Sequence, residues 1–357
     1  MLNVGKRSFL FSKKSSAVET FHVGGAFTTA NSVTANRIAK WDGTQWGGFG
    51  SGMDSYVYAF VKDSNGNLYV GGAFTTANDV SVNYVAKWDG TQFSALGSGM
   101  NSIVTSLAID SNNNLYAGGL FTTANDVTVN RIAMWNGTQW STVGTNGMNG
   151  NVWALTIDSE DNLYAGGQFT TANNVTVNRI AMWNGTQWSR VGTAGINSTI
   201  RALGVDSEGN LYAGGFFLTA NNVTVNKIAK WNGTQWSALA GGMDGNVYSL
   251  AVDSSDNLYV GGSFTSANGV TTPGIAKWNV NTETWGGVGI GLAGNVRTIA
   301  FDSSGNLYAG GNFTRTGGFP TPPESITTLR TAKWDGSSWE KFVDVDSTVI
   351  TIFITNS

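Results

Sequence analysis

The chain has 357 residues, 20 basic and 23 acidic, for a formal net charge of −3, with one histidine and no cysteine. These counts exclude disulfides, thiolate metal sites, a cysteine nucleophile and any polyhistidine metal centre, and the slight acidic excess argues against electrostatic nucleic-acid binding. Charged residues are 12% and hydrophobic residues 41%, enough apolar material for a large core and too much for wholesale disorder.

The first sixteen residues, MLNVGKRSFLFSKKSS, place Lys6, Arg7, Lys13 and Lys14 around a short apolar patch at Ser8 to Phe11. A secretory core needs about 7–15 apolar residues, so no signal peptide is expected here. No apolar run approaches the roughly 18–20 residues that cross a bilayer, so no membrane insertion is expected. The segment fits no later repeat and is predicted to be an N-terminal arm, 1–16, ahead of a single domain, 17–357.

That domain is a repeat. A Gly-Gly pair starts at Gly24, Gly71, Gly118, Gly166, Gly214, Gly261 and Gly310, with spacings of 47 to 49. A tryptophan follows 17 residues later in six units, from Trp41 to Trp278, and 24 later at Trp334. A second aromatic comes after a short turn, as in Trp41/Trp46 and Trp88/Phe93. An aspartate stands 8 residues before the pair at Asp63, Asp110, Asp158, Asp206, Asp253 and Asp302. Each unit reads as four strands: a, like NVWALTID; b, like NLYVGGAF; c, like RIAKW; and d, like TQWSALG. The Asp-Gly and Asn-Gly pairs between c and d are read as type I′ hairpin turns. No helix-period segment of useful length appears.

Four antiparallel strands repeated about every 47 residues indicate a β-propeller whose blades cover one another's faces. The fold class is therefore all-β, with a single propeller of seven four-stranded antiparallel blades. The first unit lacks a strand a, and the C-terminal STVITIFITNS aligns with one. Val349 to Thr355 is predicted to join the N-terminal blade and close the ring.

The Gly-Gly pair, the later tryptophans and the period resemble kelch-type propellers, the fold of the galactose oxidase central domain. The fuller pattern LYVGGAFTTA…IAKWDGTQW…LGSGM is more similar to propeller repeats of microbial and viral surface proteins and of fungal cortical polarity markers. The resemblance covers about residues 17–357 and implies fold more than function. Galactose oxidase chemistry does not carry over, because His22 is the sole histidine and the cysteine is missing. No cofactor and no metal is expected.

Recurrence in every blade makes the tryptophan pairs packing elements rather than a sugar platform. Trp41-type residues pack between blades, and the second aromatic pairs across the c–d hairpin. The Asp-Ser-x-x-Asn turns read as Asx-turns rather than calcium loops. His22 takes the place of the strand-b tyrosine, and the Asn-x-Thr sequons at Asn136, Asn184 and Asn232 coincide with turn residues. Two places break the repeat. The second residue of strand a varies freely, through Tyr58, Thr105, Trp153, Arg201, Tyr248, Arg297 and Ile350. These residues are expected to form a circle at the end of the ring that carries the d–a and b–c loops. The last b–c loop, Thr314 to Arg330, is seven residues longer than its counterparts and contains Arg315 and Phe319. The candidate ligand-binding residues are Tyr58, Trp153, Arg201, Tyr248, Arg297, Arg315 and Phe319; no catalytic residue is found.

The function these features favour is a non-enzymatic recognition propeller on a virion, phage appendage or cell surface, taking a glycan or protein ligand on that loop face. The alternatives are a structural module that assembles with a coat or appendage protein through the N-terminal arm, and a propeller hydrolase or lyase acting on polysaccharide. The last would need a carboxylate or histidine cluster confined to a few blades.

Overall fold

A computed structural model describes residues 19–317, 326–328 and 330–356. The predicted arm and Phe319 lie outside the described residues. The described chain forms strands and turns without helix, and its main sheets are seven, each of four antiparallel strands. A representative blade, the fourth, comprises Val152–Ile157 (a), Leu163–Gly167 (b), Ile180–Trp183 (c) and Trp188–Arg190 (d). Each strand a touches the strands a of both neighbours, and the cycle returns on itself.

The predicted closure is present. Val349–Asn356 pairs antiparallel with Glu19–Gly25 and is the innermost strand of the blade completed by Ile38–Trp41 and Trp46–Gly48. Asp346 reinforces the join, accepting the Thr28 N–H at 2.7 Å and the Thr29 N–H at 3.1 Å across more than 300 residues of sequence. Six of the seven blades are thus continuous in sequence, and one is shared by the two ends of the chain.

The core lies between blades. Each of seven buried apolar clusters draws on two adjacent blades, including the seam where Tyr308 and Val343 meet Phe21, Val23 and Val349. The Gly-Gly pair exists for this packing. A Cβ on Gly118 would stand 2.6 Å from Val152 Cγ1 of the next blade, and one on Gly119 would stand 2.1 Å from the Ile103 carbonyl oxygen. Only a bare backbone fits both approaches.

Two details depart from the sequence reading. In six of the seven c–d turns the glycine alone has positive φ, as at Gly43 (φ 97), where Asp42 accepts the N–H groups of Thr44 and Gln45 at 2.9 Å each; the sixth blade has no glycine there and Glu283 (φ 52) takes the positive φ. Glycine at the first central position with one positive φ is the type II′ pattern, not I′. Turns with two positive φ values, the type I′ signature, lie instead in the b–c loops, where Asn125 (φ 47) and Asp126 (φ 64) join a small hairpin, Thr123–Ala124 with Val127–Thr128. Asparagine and aspartate tolerate that backbone because their side chains bond locally.

Candidate functional site

Strand a carries a β-bulge at one place in every blade. In the fourth blade Val152 faces Gly167 and Ala154 faces Gly166, so Trp153 is the extra residue. The same shift makes Tyr58, Thr105, Arg201, Tyr248, Arg297 and Ile350 the extra residues of the others. A bulge re-aims one side chain out of the alternation. Here it sends all seven into one half-enclosed cavity of about 470 Å³, completed by Tyr56, Ile103, Leu120 and Thr348. Each of the seven is half-buried.

Within the cavity, cations and aromatic rings alternate. Arg201 Cζ sits 4.2 Å from the Trp153 ring centroid and 5.6 Å from that of Phe216, and Arg297 Cζ sits 5.0 Å from that of Tyr248. Phe216 meets Tyr248 edge-on at 6.0 Å, and Tyr56 meets Tyr58 edge-on at 6.4 Å. Ser263 Oγ donates to the Tyr248 hydroxyl at 3.3 Å. Burial, then the charge of Arg297, pulls the Arg201 pKa down; burial, then Tyr56, pushes that of Tyr58 up. The Trp153 indole N–H and the Arg297 Nε–H are buried without a hydrogen-bond partner among the described residues.

Five of the predicted site residues therefore share one cavity. Arg315 does not. It bridges Thr327 inside the last b–c loop, and its carbonyl accepts the Ala293 N–H at 3.0 Å, beside a separate hollow next to Phe264 and Pro273. The sequence reading missed Tyr56, Leu120 and Phe216. All three occupy positions that vary between repeats, two before the bulged residue or directly after the Gly-Gly pair, and that variation was the available signal.

The repeated residues are engaged elsewhere. Both oxygens of Asp63 accept hydrogen bonds from its own turn, from Asn65 N–H, Asn67 N–H and the Asn67 side-chain amide at 2.7 to 3.0 Å. Among the described residues no group of three potential metal-binding side chains occurs. The second tryptophan does more than pair across its hairpin: Trp188 Nε1–H donates to the Val143 carbonyl of the preceding blade at 2.9 Å, and Trp140, Trp236, Trp285 and Trp339 do likewise. His22 is 7% exposed and ringed by Phe49, Phe60 and Phe353. Burial, aided by Lys62 and Lys40, holds its pKa down at about 4.

No curated protein matches the chain. Among solved structures, the extracellular domain of a protein described as a hybrid two-component system of B. thetaiotaomicron matches with TM-score 0.50 and 14% identity over 72% of this chain. The match spans 32% of that longer chain. The WD40 beta propeller domain of Doa1 matches with TM-score 0.52 and 14% identity over 82% of this chain and 93% of that one. At such identity the likeness is one of fold. A family model for the two component regulator propeller matches residues 51–74. Residues 80–241 and 227–356 match the model of the Rax2 C-terminal beta propeller domain, and the chain belongs to that family.

Proposed function

We propose that this protein is a non-enzymatic recognition propeller that holds a glycan or protein ligand at the mouth of its ring, on the face of the d–a and b–c loops. The observation that carries the reading is the convergence of the seven bulged residues, a freely varying position of strand a, on one cavity. In a repeat whose turns and strands b to d recur closely, with two units differing at two of 24 positions, the residues that face the cavity vary. Large aromatic and arginine side chains are what recognition sites favour. Among its described lining residues the cavity has no carboxylate or imidazole, the groups that proton transfer would use. The setting we propose is extracellular, at a cell or particle surface, a reading supported by the fold shared with the extracellular domain of a hybrid two-component system.

The test is glycan-array binding of the wild type beside Trp153→Ala and Arg201→Ala/Arg297→Ala. A specific signal lost in both variants, with their melting behaviour retained, is the expected result. A signal unchanged in both would move the site off the mouth, and turnover of a bound polysaccharide would replace the reading with an enzymatic one.

A further inference from the structure

We infer that the ligand of the mouth is an acidic sugar, held with its anionic group at Arg201 and Arg297 and its ring against the aromatic wall. This inference rests on the recognition reading above and specifies its chemistry.

Three observations converge. First, two guanidiniums share one cavity without a counter-charge. No aspartate or glutamate lines it, and the ion pairs of the described residues, Lys277–Asp253 and Lys341–Asp344, lie elsewhere. Arginine stays charged in proteins, so the pair cannot relieve its repulsion by losing a proton. Half-buried like charges are costly until an anion sits between them.

Second, the donors are unspent. Neither arginine side chain makes a described hydrogen bond, and the buried Trp153 Nε1–H and Arg297 Nε–H also lack acceptors. Arg201 lies over the Trp153 ring, a contact that uses up none of the hydrogen bonds its guanidinium edge can donate. That edge matches the paired oxygens of a carboxylate or sulfate. A cavity of donors calls for an acceptor-rich ligand.

Third, the wall carries the rings of Trp153, Tyr248, Tyr58 and Tyr56, with Phe216 edge-on beside Tyr248, flat faces of the kind on which a ligand ring stacks. The volume, about 470 Å³, is on the scale of a small-molecule site. An acidic peptide read by the arginine pair is the competing ligand, and the test includes one. Each strand a is the inner edge of its sheet, but it packs against the strands a of both neighbouring blades, which blocks addition of a peptide strand there.

The experiment is isothermal titration of the wild-type chain with glucuronate, galacturonate and glucose 6-sulfate, beside glucose, galactose and an acidic hexapeptide. Expected are binding of one or more acidic sugars, at least about tenfold weaker binding of the neutral parents, and loss of roughly ten- to a hundredfold for each arginine replaced by glutamine. The carboxylated and sulfated arms identify which anion is read. Arg201→Gln and Arg297→Gln keep side-chain length, and each is accepted only with a wild-type melt. Neutral sugars binding as tightly as acidic ones, with loss in Trp153→Ala, would overturn the charge inference and leave the recognition reading standing. Binding of the peptide with every sugar silent would overturn the sugar class. Silence from every probe would overturn the inference, and an empty glycan array beside it would remove the recognition reading as well.

Discussion

At a seam between blades, the indole N–H of Trp188 donates to the Val143 carbonyl; at the mouth, the indole N–H of Trp153 is buried with no acceptor. The same contrast runs through the charged groups. Asp63 spends both oxygens on its own turn, whereas Arg201 and Arg297 share a cavity without a counter-ion. The seams largely repeat one satisfied pattern, with His22 Nδ1 an exception, and the mouth is variable and holds unpaired donors. Unpaired buried polar groups cost stability, and proteins keep such features where function uses them. The difference assigns stability to the seams and recognition to the mouth.

The harshest way to break that division is to remove the strand that makes the last seam. Deleting residues 347–357 takes Val349 and Ile352 out of the seam with Tyr308 and leaves Glu19–Gly25 without its inner partner. The cooperative thermal transition should be lost. An unchanged melting temperature would refute the closed ring.

A pH titration probes the same closing blade. Folded His22 holds its proton less tightly, at about 4 against an ordinary 6.5, so the unfolded state binds more protons between those values. Stability is complete above the upper value, falls as pH drops toward the lower, and then levels, for a total of a few kcal/mol. His22→Phe should flatten that window in urea melts at stepped pH. Carboxylates such as Asp346, whose pKa is lowered by the Thr28 and Thr29 donors against burial, act at more acidic pH. A slope that survives the substitution would assign it to another group.

A smaller effect tests a single inter-blade bond. Trp188→Phe keeps an aromatic ring and removes the donor to Val143, which should cost about 1–3 kcal/mol in denaturant unfolding. The second blade, with Phe93 at this position, has no such donor, so Phe93→Leu should disturb packing without that polar component.

The seams were largely legible in the sequence because they are periodic. Constant spacings mark packed strands, the missing strand a of the first unit finds its match at the C-terminus, and the Gly-Gly pair recurs where blades approach most closely. The ring of Tyr58, Trp153, Arg201, Tyr248 and Arg297 was legible for the opposite reason, as variation against a fixed background. The bulge behind it was not, since an apolar strand reads alike with one extra residue or none. The type I′ turns were assigned to the wrong loop because the Asn-Gly and Asp-Gly pairs drew attention from the Asn-Asp and Asn-Asn pairs that adopt two positive φ values. Tyr56 and Phe216 escaped because their neighbourhood in space follows from the bulge.

The most direct test of the division is the unfolding free energy of Arg201→Met/Arg297→Met. Methionine keeps the apolar stem of each arginine and removes the charge and the unpaired donors. The account predicts a stability equal to or above that of the wild type, by up to about 2 kcal/mol. A loss of about 2 kcal/mol or more would show that the arginines hold the ring together and would contradict the assignment of the mouth to recognition.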